Sequence, residues 1–306
     1  MPRLPRSESL IALFPPSRRR YTLQLPARSL TLGERTLLMG ILNVTPDSFS
    51  EQGRYFDRQA AVARGLEIER EGADLLDIGG ESTRPGATPV DAQEEMDRVL
   101  PVIEALRRKG LCIPISIDTY KAAVAGRALA AGAEIVNDVS GLRYDKRMGA
   151  VVREHRAGVV LMHLRGTPRT MQTLPRVQRI IPAIQRGLLA AVERARKAGI
   201  ARRRIILDPG IGFGKDASQN YEILRELPRL ARLGFPLLVG PSRKSFLEKT
   251  ASNLVGGAFE RRKEELLTLL TAVAGVAAIL HGAHLVRVHD VREMAAAARV
   301  ADRILR

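Results

Sequence analysis

The sequence predicts one (β/α)8 TIM barrel with an N-terminal hairpin across its bottom. Three observations carry the prediction. Compact β-branched or leucine-rich runs alternate with longer amphipathic stretches, there are eight such runs, and no two follow each other without a helical stretch between them. Strands buried on both faces by crossover helices read as continuous apolar runs of this kind. An open doubly wound sheet is the structural alternative, but eight strands in unbroken alternation with helices favour the barrel. At 306 residues the chain fits a single unit of that class.

Residues 1–20 begin the chain as a basic, disordered tail, and residues 21–306 form the single barrel domain. Tyr21-Thr22-Leu23-Gln24-Leu25 and Leu30-Thr31-Leu32-Gly33 alternate apolar and polar, as the arms of a small hairpin do. The expected barrel strands are Leu37–Val44, Leu75–Gly79, Ile113–Ile117 and Glu134–Asn137, then Val159–Met162, Ile205–Leu207, Leu237–Val239 and Leu285–Val288. Helices are expected over Arg58–Glu71, Glu94–Lys109, Lys121–Ala131 and Pro182–Ala198. Three of them run into Gly72, Gly132 and Gly199, the usual left-handed stop.

Composition bounds the function. The chain is 45% hydrophobic and 27% charged, with ample material for a large core. No stretch approaches the roughly 20 apolar residues of a membrane span. The one cysteine, Cys112, excludes an internal disulfide, fits a reducing cytoplasm, and lies in an apolar run where a packed, inert thiol is expected. The net charge of +16 raises the question of nucleic acid, yet the basic residues are dispersed and aromatics make up only 4%. Stacking platforms for single strands are therefore scarce, and specific nucleic-acid binding is not expected. Attraction of anionic small substrates, or simply a basic surface, explains the charge as well.

The chemistry is expected where the strands end. In order these ends carry Asn43, Glu81 to Arg84, Asp118, Asn137-Asp138, Met162-His163, Asp208, Ser242 to Ser245, and Arg287 to Asp290. The carboxyl end of a barrel is where active sites are built, so these groups should converge on one mouth. Any single Asp or Asn could instead cap the helix that follows, and Asp290 is read as such a cap. Asp118, Asn137 and Asp208 suit the donor and acceptor edge of a flat heterocycle. Lys244, Arg287 and His289, read as cations, suit with the Thr83 hydroxyl a phosphate-bearing group. Met162, Val139 and Phe213 would wall an apolar ring slot.

At this point the chain resembles the dihydropteroate synthase family. The resemblance rests on Gly40 to Ser50, on Asp77-Ile78-Gly79-Gly80-Glu81-Ser82-Thr83-Arg84-Pro85-Gly86-Ala87, on Ser116 to Thr119 and on Ile135 to Asp138. It continues through Leu161-Met162-His163, Leu207-Asp208-Pro209-Gly210-Ile211-Gly212-Phe213-Gly214-Lys215, Gly240 to Ser245 and Arg287 to Val291, and covers roughly residues 36–305.

The resemblance implies condensation of (7,8-dihydropterin-6-yl)methyl diphosphate with p-aminobenzoate, in folate biosynthesis, by a cytoplasmic homodimer using Mg²⁺. It implies Asn43 at the metal, and Thr83, Arg287 and His289, with Val288 between them, at the diphosphate. Asp118, Asn137, Asp208 and Lys244 would hold the pterin, with Met162, Gly212 and Phe213 around the ring. Thr83, Arg84, Pro85 and Ser245 would surround p-aminobenzoate, with Ser245 opening a helix. Asp118, Lys244 and Arg287 would be the catalytic set, and loops carrying Phe49, Arg84 and Pro85 would close over the mouth. Two places depart from the family: Glu51-Gln52-Gly53, where a second glycine is usual, and Leu270-Thr271, where Gly then Ser or Thr opens the last helix before the final strand. Pterin-dependent methyl transfer to a corrinoid protein, and a catalytically inactive paralogue, are the competing readings.

Overall fold

A computed structural model describes residues 18–45, 57–82, 88–171, 173–255 and 259–306. An antiparallel hairpin of β1 (Tyr21–Gln24) and β2 (Ser29–Leu32) precedes the barrel. The barrel then runs β3 (Leu37–Asn43), α1 (Arg58–Arg70), β4 (Leu75–Gly79), α2 (Ala92–Arg108), β5 (Ile115–Asp118), α3 (Ala122–Ala130), β6 (Ile135–Asp138) and α4 (Met148–Glu154). Its second half is β7 (Gly158–Met162), α5 (Ile180–Lys197), β8 (Ile205–Asp208), α6 (Ala217–Arg225), α7 (Leu227–Ala231), β9 (Leu238–Val239), α8 (Ser245–Val255), α9 (Phe259–Leu280), β10 (Leu285–Val288) and α10 (Val291–Ile304). All neighbouring strands pair in parallel in the order β8-β7-β6-β5-β4-β3-β10-β9, and a bridge from Leu207 to Leu237 closes the ring. Hairpin and eight-stranded barrel both match the sequence reading.

Local chemistry explains the element ends. The Asp57 carboxylate accepts from the Gln59 and Ala60 N–H groups at the start of α1, and Asp91 accepts from Glu94 N–H at the start of α2. Asp216 and Gln219 form a reciprocal capping box on α6. Gly72 stops α1 with φ +102°, a conformation that side chains with a Cβ avoid.

Two apolar clusters follow from strand alternation. Outward residues such as Leu38, Leu76, Ile117, Val136, Leu161, Leu207, Val239 and Val286 pack under the helices. Inward residues at the start of the strands, Leu37, Met39, Leu75, Ile135, Val160, Ile206, Leu238 and Leu285, fill the barrel's lower half. Leu23, Leu25 and Leu32 of the hairpin segment belong to the same cluster and close it from below. That closure is why a short hairpin is stable here: it covers apolar surface at about 25 cal/mol per Å².

Two expectations shift. Residues 1–17 of the expected tail lie outside the described residues, but Arg18 is already docked and buried. Its guanidinium donates to Thr36 Oγ1 (2.7 Å) and the Ala283 carbonyl (2.9 Å) and pairs with Asp302. Cys112, expected to be packed, is exposed. The chain turns inward only after Pro114, and before that point Glu69 holds the Cys112 and Ile113 N–H groups at 2.8 and 3.0 Å on the rim.

Candidate active site

The inward face of each strand changes character two residues further on. Above the apolar layer, the inward positions are Asp77, Ser116, Asn137, Asp208 and Arg287, and above or beside them Asn43, Asp118 and Met162. The ladder aligns them: Asn43 pairs with Gly79, Gly79 with Asp118, Asp118 with Asn137, and Met162 with Asp208. Polar groups predicted from separate strand ends therefore meet in one ring.

Arg287 organises that ring. Its Nε donates to Asp77 Oδ2 at 2.6 Å and its terminal nitrogen to Asp118 Oδ2 at 2.8 Å. Asn137 Nδ2 donates to the same Asp77 oxygen at 3.0 Å. The other oxygens, Asp77 Oδ1 and Asp118 Oδ1, and the Ser116 hydroxyl are buried without a partner among the described residues. Such groups are expensive to leave unpaired, so the arrangement is built for a ligand with donors. Burial raises the Asp118 carboxyl above its usual range, with Arg287 opposing and Asp77 and Glu95 adding to the rise.

Asp208 accepts the Gly210 N–H at 2.7 Å, and burial pushes its carboxyl up to about 6, against that hydrogen bond and the nearby Lys215, Lys244 and Arg287. The Lys244 ammonium lies 4.2 Å from the centre of the Phe213 ring. Gly212, at φ +84°, lets that lysine pass: a Cβ there would stand 2.9 Å from Lys244 Cδ. Met162 and Val139 pack with Leu164 and Met171, and Phe213, Tyr120 and Tyr144 pack against them. The three walls expected of a ring slot are thus one cluster. Ser245 is the first residue of α8, as expected of a helix start facing an anion.

Several expectations fail at the level of side-chain direction or charge. Val288 is fully buried in the outward cluster, because alternation from inward Arg287 turns it to the helices. His289 is not a cation: burial, then Arg287 and Arg243, push its imidazole down to about 3. Ser242 Oγ accepts the His289 backbone N–H at 3.2 Å and lies 2.9 Å from Nδ1. With its ring held neutral, His289 can serve an anion only as a neutral N–H donor. His163 leaves the mouth altogether, its buried ring against α5, where a Cβ at Gly187 would lie 2.5 Å from its Cδ2. Asp290 stands at the start of α10 but caps nothing with its side chain; it takes Arg243 at 2.7 and 3.1 Å instead. Thr83, Arg84 and Pro85, and the segment from Phe49 to Gly53, lie outside the described residues.

Two residues of the site were not singled out in advance. Asp77 was legible only as a charge at an inward position of an otherwise apolar strand. Lys215 closes the glycine-rich loop after β8 and is buried. Its ammonium donates to the carbonyls of His163 (2.9 Å), Gly210 (2.7 Å) and Phe213 (2.9 Å), and burial pulls its pKa down to about 7. It braces the loop that places Gly212 and Phe213.

Two clefts, of about 360 and 390 Å³, lie at the opposite end of the barrel against the hairpin, and none of the strand-end polar groups lines either of them.

Comparison with known proteins agrees with the geometry. The model of the pterin binding enzyme family matches residues 39–289. Over 274 residues the chain is 48% identical to the dihydropteroate synthase of Synechocystis sp., covering 90% of this chain and 92% of that one. The chain belongs to the dihydropteroate synthases of the pterin-binding family. The Bacillus subtilis dihydropteroate synthase is 42% identical over 279 residues, 90% of this chain and 91% of that protein. Among solved structures, Xanthomonas albilineans dihydropteroate synthase with 4-aminobenzoic acid superposes with a TM-score of 0.83 at 43% identity, covering 94% of this chain and 98% of that one. The same organism's enzyme in complex with 7,8-dihydropteroate gives 0.77 at 38% identity, covering 92% and 98%.

Proposed function

We infer that the barrel mouth joins (7,8-dihydropterin-6-yl)methyl diphosphate to p-aminobenzoate, giving 7,8-dihydropteroate and diphosphate. The chain is a transferase of folate biosynthesis. The observation that carries the reading is the ring of Asp77, Asn137 and Asp118 around Arg287, with two buried carboxylate oxygens that have no partner among the described residues. Relatives and superposable structures are dihydropteroate synthases, which favours condensation over corrinoid methyl transfer. An inactive paralogue would keep the ring site and lose turnover, which the assay below separates.

In this reading Asp208, Asn137 and Lys244 hold the pterin edge, and Met162, Gly212 and Phe213 flank its plane. The bond from the methylene carbon to the diphosphate oxygen breaks, and the electron pair leaves with diphosphate. Asp118 stabilises the positive charge that develops on the methylene and ring, and Arg287 favours its ionised form against burial while facing the leaving group. The neutral aniline nitrogen then forms the new C–N bond and releases its proton to solvent. No strong general base is needed. His289 offers a neutral ring N–H to diphosphate, and Ser245 offers the start of α8 to the benzoate carboxylate. Thr83, Arg84 and Pro85 complete the amine pocket and the Thr83 contact to diphosphate by family resemblance.

No three His, Cys, Asp or Glu among the described residues gather as a metal cage. The one amide of Asn43 at the mouth suits Mg²⁺ held mainly by diphosphate oxygens and waters, the coordination this hard ion prefers. Bound there, the ion would neutralise charge on the leaving group.

Two coarser readings complete the proposal. No helix among the described residues is long and apolar enough to cross a membrane, which is compatible with a cytoplasmic enzyme. A homodimer is supported by α9 and α10, which pack together and expose Leu269, Val273, Val300 and Ile304, each more than half accessible. Incubation with the pterin diphosphate, p-aminobenzoate and Mg²⁺ should release diphosphate and form dihydropteroate. Binding of the pterin without any release would leave the inactive-paralogue reading standing instead.

A further inference from the structure

The cleft of about 390 Å³ at the amino-terminal end of the barrel lies between β1, the short 3-10 turn Arg202–Arg204 and residues 234–236. Its walls include Arg20, Tyr21, Arg202, Arg203, Phe235 and Pro236, and no Asp or Glu among the described residues lines it. The guanidinium of Arg202 lies over Phe235, its central carbon 3.8 Å from the ring centre, and donates to the Gly234 carbonyl at 2.6 Å. Arg203 Nε donates to the Gln24 side-chain oxygen, and Arg204 donates to the carbonyls of Gln24 (3.0 Å) and Arg156. Arg19 lies over Tyr21 at 5.5 Å.

The acceptors of Arg202, Arg203 and Arg204 are neutral. They orient the guanidinium groups without cancelling their charge, and among the described residues only Arg20 of this group has a carboxylate partner, an exposed pair with Glu34 at 3.1 Å. Like charges are crowded as a result: after burial, Arg203 and Arg156 are what lower the pKa of Arg204. Bringing an anion to such a cluster relieves repulsion that the free protein carries. Arg202 adds a second demand. It lies over Phe235 and is exposed, a placement from which a guanidinium plane can take a planar ring, as arginine planes take bases. The cleft volume falls within the roughly 300–1,000 Å³ of small-molecule sites.

We propose that this cleft is a second ligand site, for a nucleoside phosphate whose base lies on Arg202 and whose phosphates meet Arg203 and Arg20. It is at the far end of the barrel from the mouth and does not depend on the reaction assigned there. The base supplies the stacking partner, and the phosphates supply the charge that the arginines lack.

Calorimetry with ATP as the probe, at low salt and without Mg²⁺, tests it. ATP should bind with a submillimolar Kd, and Arg202→Ala and Arg203→Ala should each weaken it about tenfold or more, the scale of one lost charged or stacking contact. Both arginines are exposed, so the variants should fold and keep wild-type turnover. Tripolyphosphate and adenosine, each carrying half of the recognition, should bind at least about tenfold more weakly than ATP, and saturating 7,8-dihydropteroate should not displace ATP. The proposal is overturned if ATP does not bind wild type at submillimolar concentration, or if the two variants bind it as wild type does. It also falls if tripolyphosphate matches ATP, which would mark plain anion attraction, or if dihydropteroate competes, which would put the nucleotide in the mouth.

Discussion

The two ends of this barrel are built by the same strands and differ by two residues of register. At the lower end the inward positions are Leu37, Met39, Leu75, Ile135, Val160, Ile206, Leu238 and Leu285, sealed by the hairpin. One inward step along β4, β6, β8 and β10 replaces Leu75, Ile135, Ile206 and Leu285 by Asp77, Asn137, Asp208 and Arg287. The lower layer gains stability from dry packing. The upper layer spends part of it holding charges in a buried ring with acceptor atoms left open. Stability and chemistry are therefore separable along each strand, and substitutions at the two levels should differ in kind.

The largest effect is expected where the upper layer is broken from inside. Arg287→Met strands Asp77 and Asp118 without their shared cation, and removing one partner of a buried pair costs about 3–5 kcal/mol. Urea unfolding should show that loss, and turnover should vanish in the folded fraction. Retained stability would mean that the ion pairs of Arg287 with Asp77 and Asp118 contribute little to the fold.

At the lower end, Leu285→Ala should cost about 2–5 kcal/mol by cavity formation. Turnover per folded molecule at a permissive temperature should stay at the wild-type level. A fall in turnover without unfolding would break the separation of the two layers.

Asp208→Asn should invert that pattern, losing binding while keeping the fold. Pterin affinity should fall by about 2–4 kcal/mol in calorimetry, the order for truncating a buried charged hydrogen bond. The folded pKa of Asp208 is raised to about 6. A raised carboxyl stabilises the fold when protonated, and that contribution is lost as pH climbs from the unfolded value through about 6. The variant should therefore gain stability relative to wild type across that window.

Lys215 has the opposite sign. Its folded pKa lies near 7, below the unfolded value. Its contribution is present above the unfolded pKa and is lost as pH falls through about 7. Lys215→Met should flatten the rise of wild-type stability between roughly pH 7 and 10.5, and it should loosen the loop under Phe213. An unchanged slope would place the Lys215 pKa elsewhere. The smallest effect belongs to Cys112→Ser, within about 0.5 kcal/mol, with the native thiol open to modification.

Much of this division was legible beforehand because it follows the period of a strand. The eight strands, the hairpin and the polar strand ends all come from alternation and helix stops. Alternation also contained the fate of Val288, since a residue between inward Arg287 and His289 has to face the helices. The state of His289 was not legible: its neutrality depends on burial and on Arg243, which only the closed ring brings beside Arg287 and the imidazole. Asp77 was hidden for a related reason, because its partners come from β6 and β10, far away in the chain. Cys112 misled because it lies in an apolar run and was taken to pack with its neighbours, whereas the strand begins at Ile115 and the thiol before it is exposed.

A crystal structure with bound 7,8-dihydropteroate tests the central claim most directly. The account predicts the pterin between Met162 and the Phe213–Lys244 pair, its polar edge on Asp208 and Asn137, and the linking methylene beside Asp118 and Arg287. A ring bound away from that polar layer, with Asp77 Oδ1 and Asp118 Oδ1 as unpartnered as before, would contradict it.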